Sequence, residues 1–330
     1  MRVAAALLAL PLLLLSGAVA LADDGGPSRT VGRATELPPR RDATKELLML
    51  VGGLGSSADD GTWDALIARY QGDPRFEIRR FGADPRYPYD TRGDVEASAI
   101  RLRDEIRSIA HRYTAVHLVT HSMGGVVADR ALADGLSSAD GVRTYIALAA
   151  PHNGATAARV ARTSLSLAGD ESLELRAVTA GLVHDPGGDA VRDLAERRSS
   201  GPAAGLARID VRLATDLLVS SPDSRSAGVE SRILLPSSFA TLEGHGGILE
   251  DPAVLDLITT TVATGAPPPD TRGAVLRGAT ELASRTVDEL GMLLLLAAAA
   301  AALALAQALR IARYPRAFTR PAAERVIARR

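Results

Sequence analysis

Val116-His117-Leu118-Val119-Thr120-His121-Ser122-Met123-Gly124-Gly125-Val126-Val127-Ala128 is the stretch on which the fold turns. Thr114–Thr120 is short, apolar and rich in β-branched residues, as a strand buried on both faces should be. Helical spacing begins at once, over Gly124–Leu136. A strand that runs straight into a helix must bend sharply, which pushes the central side chain, Ser122, out of the sheet. The flanking positions must then be small enough for backbones to approach. Gly124 meets this need, while Thr120 stands where the pattern G-x-S-x-G has its first glycine. The helix that follows presents free N–H groups to the same spot, where they favour a developing oxyanion.

Working outward, strands and helices alternate. Glu46–Val51 reads as a buried strand that stops at Gly52-Gly53-Leu54-Gly55, and Trp63–Tyr70 has helical spacing. Arg75–Phe81 reads as a strand and Asp94–Arg112 as an amphipathic helix. Strands are expected over Thr144–Ala149, Asp210–Thr215 and Ile233–Leu242, with a closing helix over Asp251–Ala263. Apolar strands separated by helices imply an α/β fold, with a mostly parallel central sheet and helices on both faces. Chemistry in such sheets gathers at the carboxyl ends of the strands.

Composition removes several classes of function. The chain has 330 residues, 38 basic and 39 acidic side chains and no cysteine. A formal net charge of -1 gives no field to attract polyanions, so nucleic acid is not an expected partner. The absence of cysteine excludes disulfides, a thiol nucleophile and cysteine-ligated metals. Aromatic residues, at 3%, are too few for a base-stacking platform, and a hydrophobic content of 46% excludes intrinsic disorder. Lys45 is the one lysine, an arginine skew expected of a GC-rich bacterial genome.

The run from Val116 to Ala128 resembles the nucleophile elbow of lipase- and esterase-like α/β-hydrolases. In that superfamily the chain order is serine, then Asp or Glu, then histidine. The resemblance makes Ser122 the nucleophile. Of six histidines, His245 fits the base: Glu243-Gly244-His245-Gly246-Gly247-Ile248-Leu249 lies between the last strand and the closing helix, and resembles the G-H-G-G-hydrophobic loop of bacterial lipases. Asp216-Leu217-Leu218-Val219 resembles the family's D-x-x-V pattern and makes Asp216 the orienting acid, with Asp223 the alternative. Gly52-Gly53-Leu54-Gly55 resembles the H-G-x-G oxyanion loop, with Gly52 in place of the histidine. The implied oxyanion donors are the backbone N–H groups of Leu54 and Met123. Ala149-Ala150-Pro151-His152-Asn153-Gly154-Ala155 resembles the lipase P-H-x-G-T turn, so the likeness spans roughly 46–263. Residues 155–205 fall where these enzymes insert a cap, and read either as a partly apolar lid or as a plain helical connection.

The two ends carry different signals. Residues 1–22 read as a secretory signal peptide, with Met1-Arg2, an apolar run and Ala20-Leu21-Ala22 before Asp23. Residues 23–43 are expected to be loose, with the hydrolase domain at 44–263. Three consecutive prolines, Pro267 to Pro269, mark 264–289 as a linker and helical stalk. Residues 290–309 are uncharged, and at 1.5 Å per residue they reach about 30 Å, enough for a transmembrane helix. Arg310, Arg313, Arg316 and Arg320 follow, so the positive-inside rule puts the basic tail 310–330 in the cytoplasm and the hydrolase domain outside.

The resemblance thus implies a serine hydrolase acting on carboxylic esters or lipids through an acyl-enzyme, with no metal or organic cofactor, and the run 290–309 implies that it is membrane-anchored. Acyl transfer or thioester cleavage would use the same triad. A non-catalytic, membrane-tethered binding protein on a hydrolase fold is the alternative from another class.

Overall fold

The structure, a computed structural model, describes residues 44–168, 189–195 and 205–313. The expected signal peptide (1–22), the segment 23–43 and most of the expected basic tail lie outside the described residues. Six strands form one all-parallel sheet: β1 (Glu46–Val51), β2 (Phe76–Arg80), β3 (Val116–His121), β4 (Val142–Leu148), β5 (Ala207–Leu213) and β6 (Glu230–Leu234). Their order is β2-β1-β3-β4-β5-β6. The chain leaves β1 in one direction and then reaches β3 in the other, so a crevice opens between the carboxyl ends of these two strands.

Period-2 alternation sends side chains to two cores. Leu47, Met49, Val51, Val116 and Leu118 pack under α2 (Val95–Ile109) and α3 (Met123–Ala133). Leu48, Leu50, Val119, Ile146 and Ile209 pack under α1 (Asp64–Arg69) and α6 (Pro252–Thr264). Helix starts follow local chemistry: the Asp94 carboxylate caps α2 through the amides of Glu96 and Ala97, and Asp251 caps α6 through Ala253 and Val254. Within the expected cap lie α4 (Thr156–Ala168) and α5 (Asp189–Ala195); residues 169–188 and 196–204 are outside the described residues.

Two strands start three residues earlier, and also end earlier, than their sequence suggests. The expected Asp210–Thr215 is β5 at Ala207–Leu213, and the expected Ile233–Leu242 is β6 at Glu230–Leu234. In β5 the reason is charge placed inside. Arg208, Asp210 and Arg212 alternate with Ile209, Val211 and Leu213, yet all seven residues of β5 are buried. Asp129 Oδ2 lies 2.5 Å from His152 Nδ1, His152 Nε2 lies 3.2 Å from Asp210, and Arg208 reaches Asp129 and Asp210 at 3.1 and 3.3 Å. Arg208 also stacks over the Tyr145 ring at 4.6 Å. Burial opposes the His152 imidazolium, but the two carboxylates outweigh it and lift the pKa to about 9. Two cations then balance two anions, which is the condition for charges to be tolerated away from water.

The segment after the body also differs from expectation. The proline stretch is held to β6, where Arg232 donates to the Pro268 carbonyl and Arg272 to that of Ile233. Helix α7 (Ala274–Arg313) follows. Its first half is no free stalk: it lies against α4 and buries Thr280 and Ser284. Residues 290–309 are helical within α7. Among the described residues no helix is long and apolar enough to cross a membrane, so the expected transmembrane span is not found there.

Candidate active site

Register decides what meets at the carboxyl edge. Val51 pairs with Thr120, His121 with Leu148, Leu148 with Val211, and Leu213 with Leu234. The Gly52–Gly55 loop, the turn at Ser122 and the loop after β5 therefore leave the sheet at one level. Ser122 occupies the apex with φ 53° and ψ -127°, a left-handed conformation that costs a non-glycine residue of order 1–3 kcal/mol. The surrounding backbones hold it there. A Cβ on Gly124 would stand 2.3 Å from the Val51 carbonyl oxygen, and one on Gly125 would stand 2.3 Å from Ala150 Cβ. Thr120, at the departure from G-x-S-x-G, is buried in the sheet, so the close approach is carried by Gly124 and Gly125 instead. Gly124→Ala is expected to lower stability by about 1–3 kcal/mol through forced separation of β1 from the elbow. Thermal denaturation checks this; an unchanged melting temperature would show that the loop moves aside freely.

Ser122, His245 and Asp216 come together although they are far apart in sequence. His245 Nε2 lies 3.0 Å from Ser122 Oγ, and Nδ1 lies 3.0 Å from Asp216 Oδ2. The other carboxylate oxygen of Asp216 accepts from the amides of Leu218 and Val219, each at 2.9 Å, and the residue is 1% exposed. Burial alone would raise the Asp216 pKa, but His245, its hydrogen bond, Arg212 and the Val219 amide hold it below the ordinary value. Burial likewise opposes the His245 imidazolium; the Asp216 charge and hydrogen bond reverse this, and its pKa lies above the ordinary value.

The glycine loop after β1 faces the same point. A Cβ on Gly53 would stand 2.8 Å from Ser122 Cβ, and one on Gly52 would stand 2.2 Å from Ser56 Oγ. The second contact crowds any side chain at position 52, where the H-G-x-G pattern has its histidine. Tyr89 donates to the Gly52 carbonyl at 2.8 Å and fixes the loop from the far side. Leu54 lines the cleft around Ser122 and His245, and Met123 opens α3. Amides at the first turn of a helix have no intrahelical acceptor, so that of Met123 can serve an anion. Among the described residues no group of three or more His, Cys, Asp or Glu side chains is arranged to hold a metal.

The cleft encloses about 520 Å³ and is walled by Ala155, Ala158, Leu194, Leu218, Val219 and Leu249 as well as the polar groups. The described parts of the expected cap, α4 and α5, thus form part of its wall. A larger groove of about 1030 Å³ lies between the loop after β5 and α7; it shares Leu218 with the cleft but contains neither Ser122 nor His245. Asp223, the alternative acid, is committed elsewhere: it accepts from the Thr156 amide and hydroxyl and pairs with Arg159.

His121 is not singled out by sequence reasoning, because it adjoins the serine on the strand side. Its Nε2 donates to the His245 carbonyl at 2.9 Å, and the two rings are 4.9 Å apart. Burial, and then the His245 charge, push its pKa down to about 3. A neutral ring that braces the His245 backbone is the result. Its position directly before Ser122 is the only sequence signal that points to it.

Comparison with known proteins supports the fold. Residues 95–167 match the PGAP1-like alpha/beta domain family, a segment that includes the elbow. The mature lipase of Bacillus licheniformis is similar in structure at 15% identity, with a TM-score of 0.50, over 71% of this chain and 96% of that one. Lipase B of Aspergillus fumigatus (17% identity, TM-score 0.48) aligns over 79% of this chain and 63% of its own. An esterase of Thermogutta terrifontis (15% identity, TM-score 0.44) aligns over 68% of this chain and 92% of its own. No curated protein matches in sequence. The chain has the α/β-hydrolase fold.

Proposed function

We propose that this chain is a serine hydrolase that cleaves carboxylic esters through an acyl-enzyme, with Ser122 as nucleophile, His245 as base and Asp216 as orienting acid. The observation that carries the reading is the continuous pair of 3.0 Å contacts from Ser122 Oγ through His245 to Asp216. His245 accepts the Ser122 proton as Oγ attacks the acyl carbon. The amides of Leu54 and Met123 receive the oxyanion, and such a donor is worth about 10²–10³ in rate. The imidazolium, held by Asp216, then protonates the leaving alcohol. Water attacks the acyl-enzyme by the same proton path in reverse. The resemblance of the 46–263 region to lipases and the apolar cleft wall favour acyl or lipid esters. Tethering through 290–309, with the hydrolase domain extracytoplasmic and the tail cytoplasmic, is part of the proposal and rests on the uncharged run and the arginines that follow it.

The pH dependence has a definite sign. His245 accepts a proton only when neutral, and its pKa is raised above the ordinary value. The acid limb of kcat/KM is therefore expected at higher pH than an ordinary histidine would give, with a tenfold fall per pH unit below it. Hydrolysis of p-nitrophenyl esters of graded chain length, read from pH 5 to 9, tests both statements. A pH-independent rate would remove His245 from the reaction. Absence of turnover on every ester, together with absence of labelling by a fluorophosphonate, would favour the non-catalytic reading. Turnover of acyl thioesters in preference to oxygen esters would change the leaving group and leave the residues in place.

A further inference from the structure

Among the described residues Arg212 is the largest side chain to be almost fully enclosed, at 1% exposure, and it stands four residues before Asp216. A guanidinium removed from water needs a counter-charge and acceptors for its fork of donors. Arg212 Nη2 donates to the Asp216 carbonyl and to Asp288 Oδ1, both at 2.8 Å, and Nη1 donates to Ser284 Oγ. Ser284 and Asp288 both belong to α7. The second oxygen of Asp288 accepts from the Ser221 amide at 3.1 Å. Asp288 therefore grips the loop after β5 at both ends: at Asp216 through Arg212, and at Ser221 directly. Between those ends, the amides of Leu218 and Val219 aim the Asp216 carboxylate at His245. The packing along this contact is close, since a Cβ on Gly291 would stand 3.2 Å from the Leu217 carbonyl.

We infer that Asp288 is a positioning residue for the Asp216–His245 pair, acting through Arg212 and the loop 216–221, so that the helix carrying the apolar run also supports the catalytic acid. This rests on the hydrolase reading and extends it. The charged and titratable groups that face His245 are Asp216 and Arg212 from β5 and its loop, Glu243 from its own loop and His121 from the end of β3, with Asp288 behind Arg212 on α7. Asp216 and Glu243 favour the imidazolium, and Arg212 disfavours it. Loss of the Asp288 charge leaves Arg212 unbalanced, which lowers the His245 pKa as well as loosening the loop.

The test uses the full chain, with Asp288→Asn and Asp288→Glu compared with wild type. Fluorophosphonate titration counts competent sites, so kcat on a p-nitrophenyl ester is expressed per titrated serine. Asp288→Asn is expected to lower kcat about tenfold, with KM changed less than about twofold and the acid limb moved to lower pH, as misplacement of a reacting group predicts. Asp288→Glu is expected to recover most of the loss. A purely structural salt bridge would lower thermal stability and the number of titrated sites, but leave kcat per site and the acid limb where they were; that outcome overturns the inference. Should Asp288→Asn fail to fold, Ser284→Ala, which removes one acceptor from Arg212, is expected to lower kcat per site at least about threefold, and an unchanged value overturns the inference equally. A wild-type chain that neither labels nor turns over ester sinks the hydrolase reading itself, whereas an active wild type with unaltered variants sinks only the role of Asp288.

Discussion

Ser122→Ala is expected to abolish labelling by a fluorophosphonate and to lower kcat/KM on an ester by roughly 10⁴–10⁶. The change removes one oxygen, whose described partner is His245 Nε2, and that oxygen caps no helix. Alanine is no less at ease than serine at φ 53°, so the elbow's backbone cost is the same in both chains. Ser122 Cβ, the atom against which Gly53 packs, is retained. Stability should therefore stay within about 0.5 kcal/mol of wild type, the range of a substitution that disturbs no packing. Mass spectrometry of the labelled protein and a melting curve make the check. A variant that still takes up the probe would place the nucleophile elsewhere in the chain.

Asp216→Asn is expected to lower kcat by about 10³–10⁴ while the protein remains folded. An asparagine carbonyl can still accept from the amides of Leu218 and Val219, which bond one oxygen of the aspartate. The amide nitrogen then takes the place of Oδ2 and presents a donor to His245 Nδ1. The ring must answer with the other tautomer, which puts an N–H against Ser122 Oγ and leaves no lone pair to accept the proton. The charge that raises the His245 pKa is lost as well, so the residual activity should titrate at lower pH than wild type. Loss of less than about tenfold would remove Asp216 as the orienting group. Asp223 could not replace it without giving up Thr156 and Arg159.

The two variants separate chemistry from scaffold, because neither removes a packed side chain. Gly124→Ala and Asp288→Asn ask the converse question of how tightly the scaffold holds the chemistry. They probe two separate contacts, the elbow against β1 in one case and the loop after β5 against α7 in the other.

Much of the fold is legible in the sequence because apolar periodicity is local. Glu46–Val51 carries its strand signal within six residues, and its observed bounds are the expected ones. The elbow is legible for a similar reason: a strand, a serine and two glycines in succession leave few other conformations. Strand β5 is displaced from its expected position because its pattern contains charges that the fold neutralises from a distance. Arg208 and Asp210 look like solvent-facing positions until Asp129 and His152 are brought against them. Neither partner is near β5 in sequence.

The same division applies to the site. Sequence alone determined which residue types were available and in what order, since the proposed nucleophile, acid and base each sit in a short run of recognisable character. Which carboxylate faces His245, that His121 braces it from behind, and that α7 folds back to hold Arg212 were decided only by tertiary structure. The physical reason is range: turns and periodicity are set by neighbours along the chain, whereas a hydrogen bond or a buried ion pair depends on groups that only packing brings within about 3 Å.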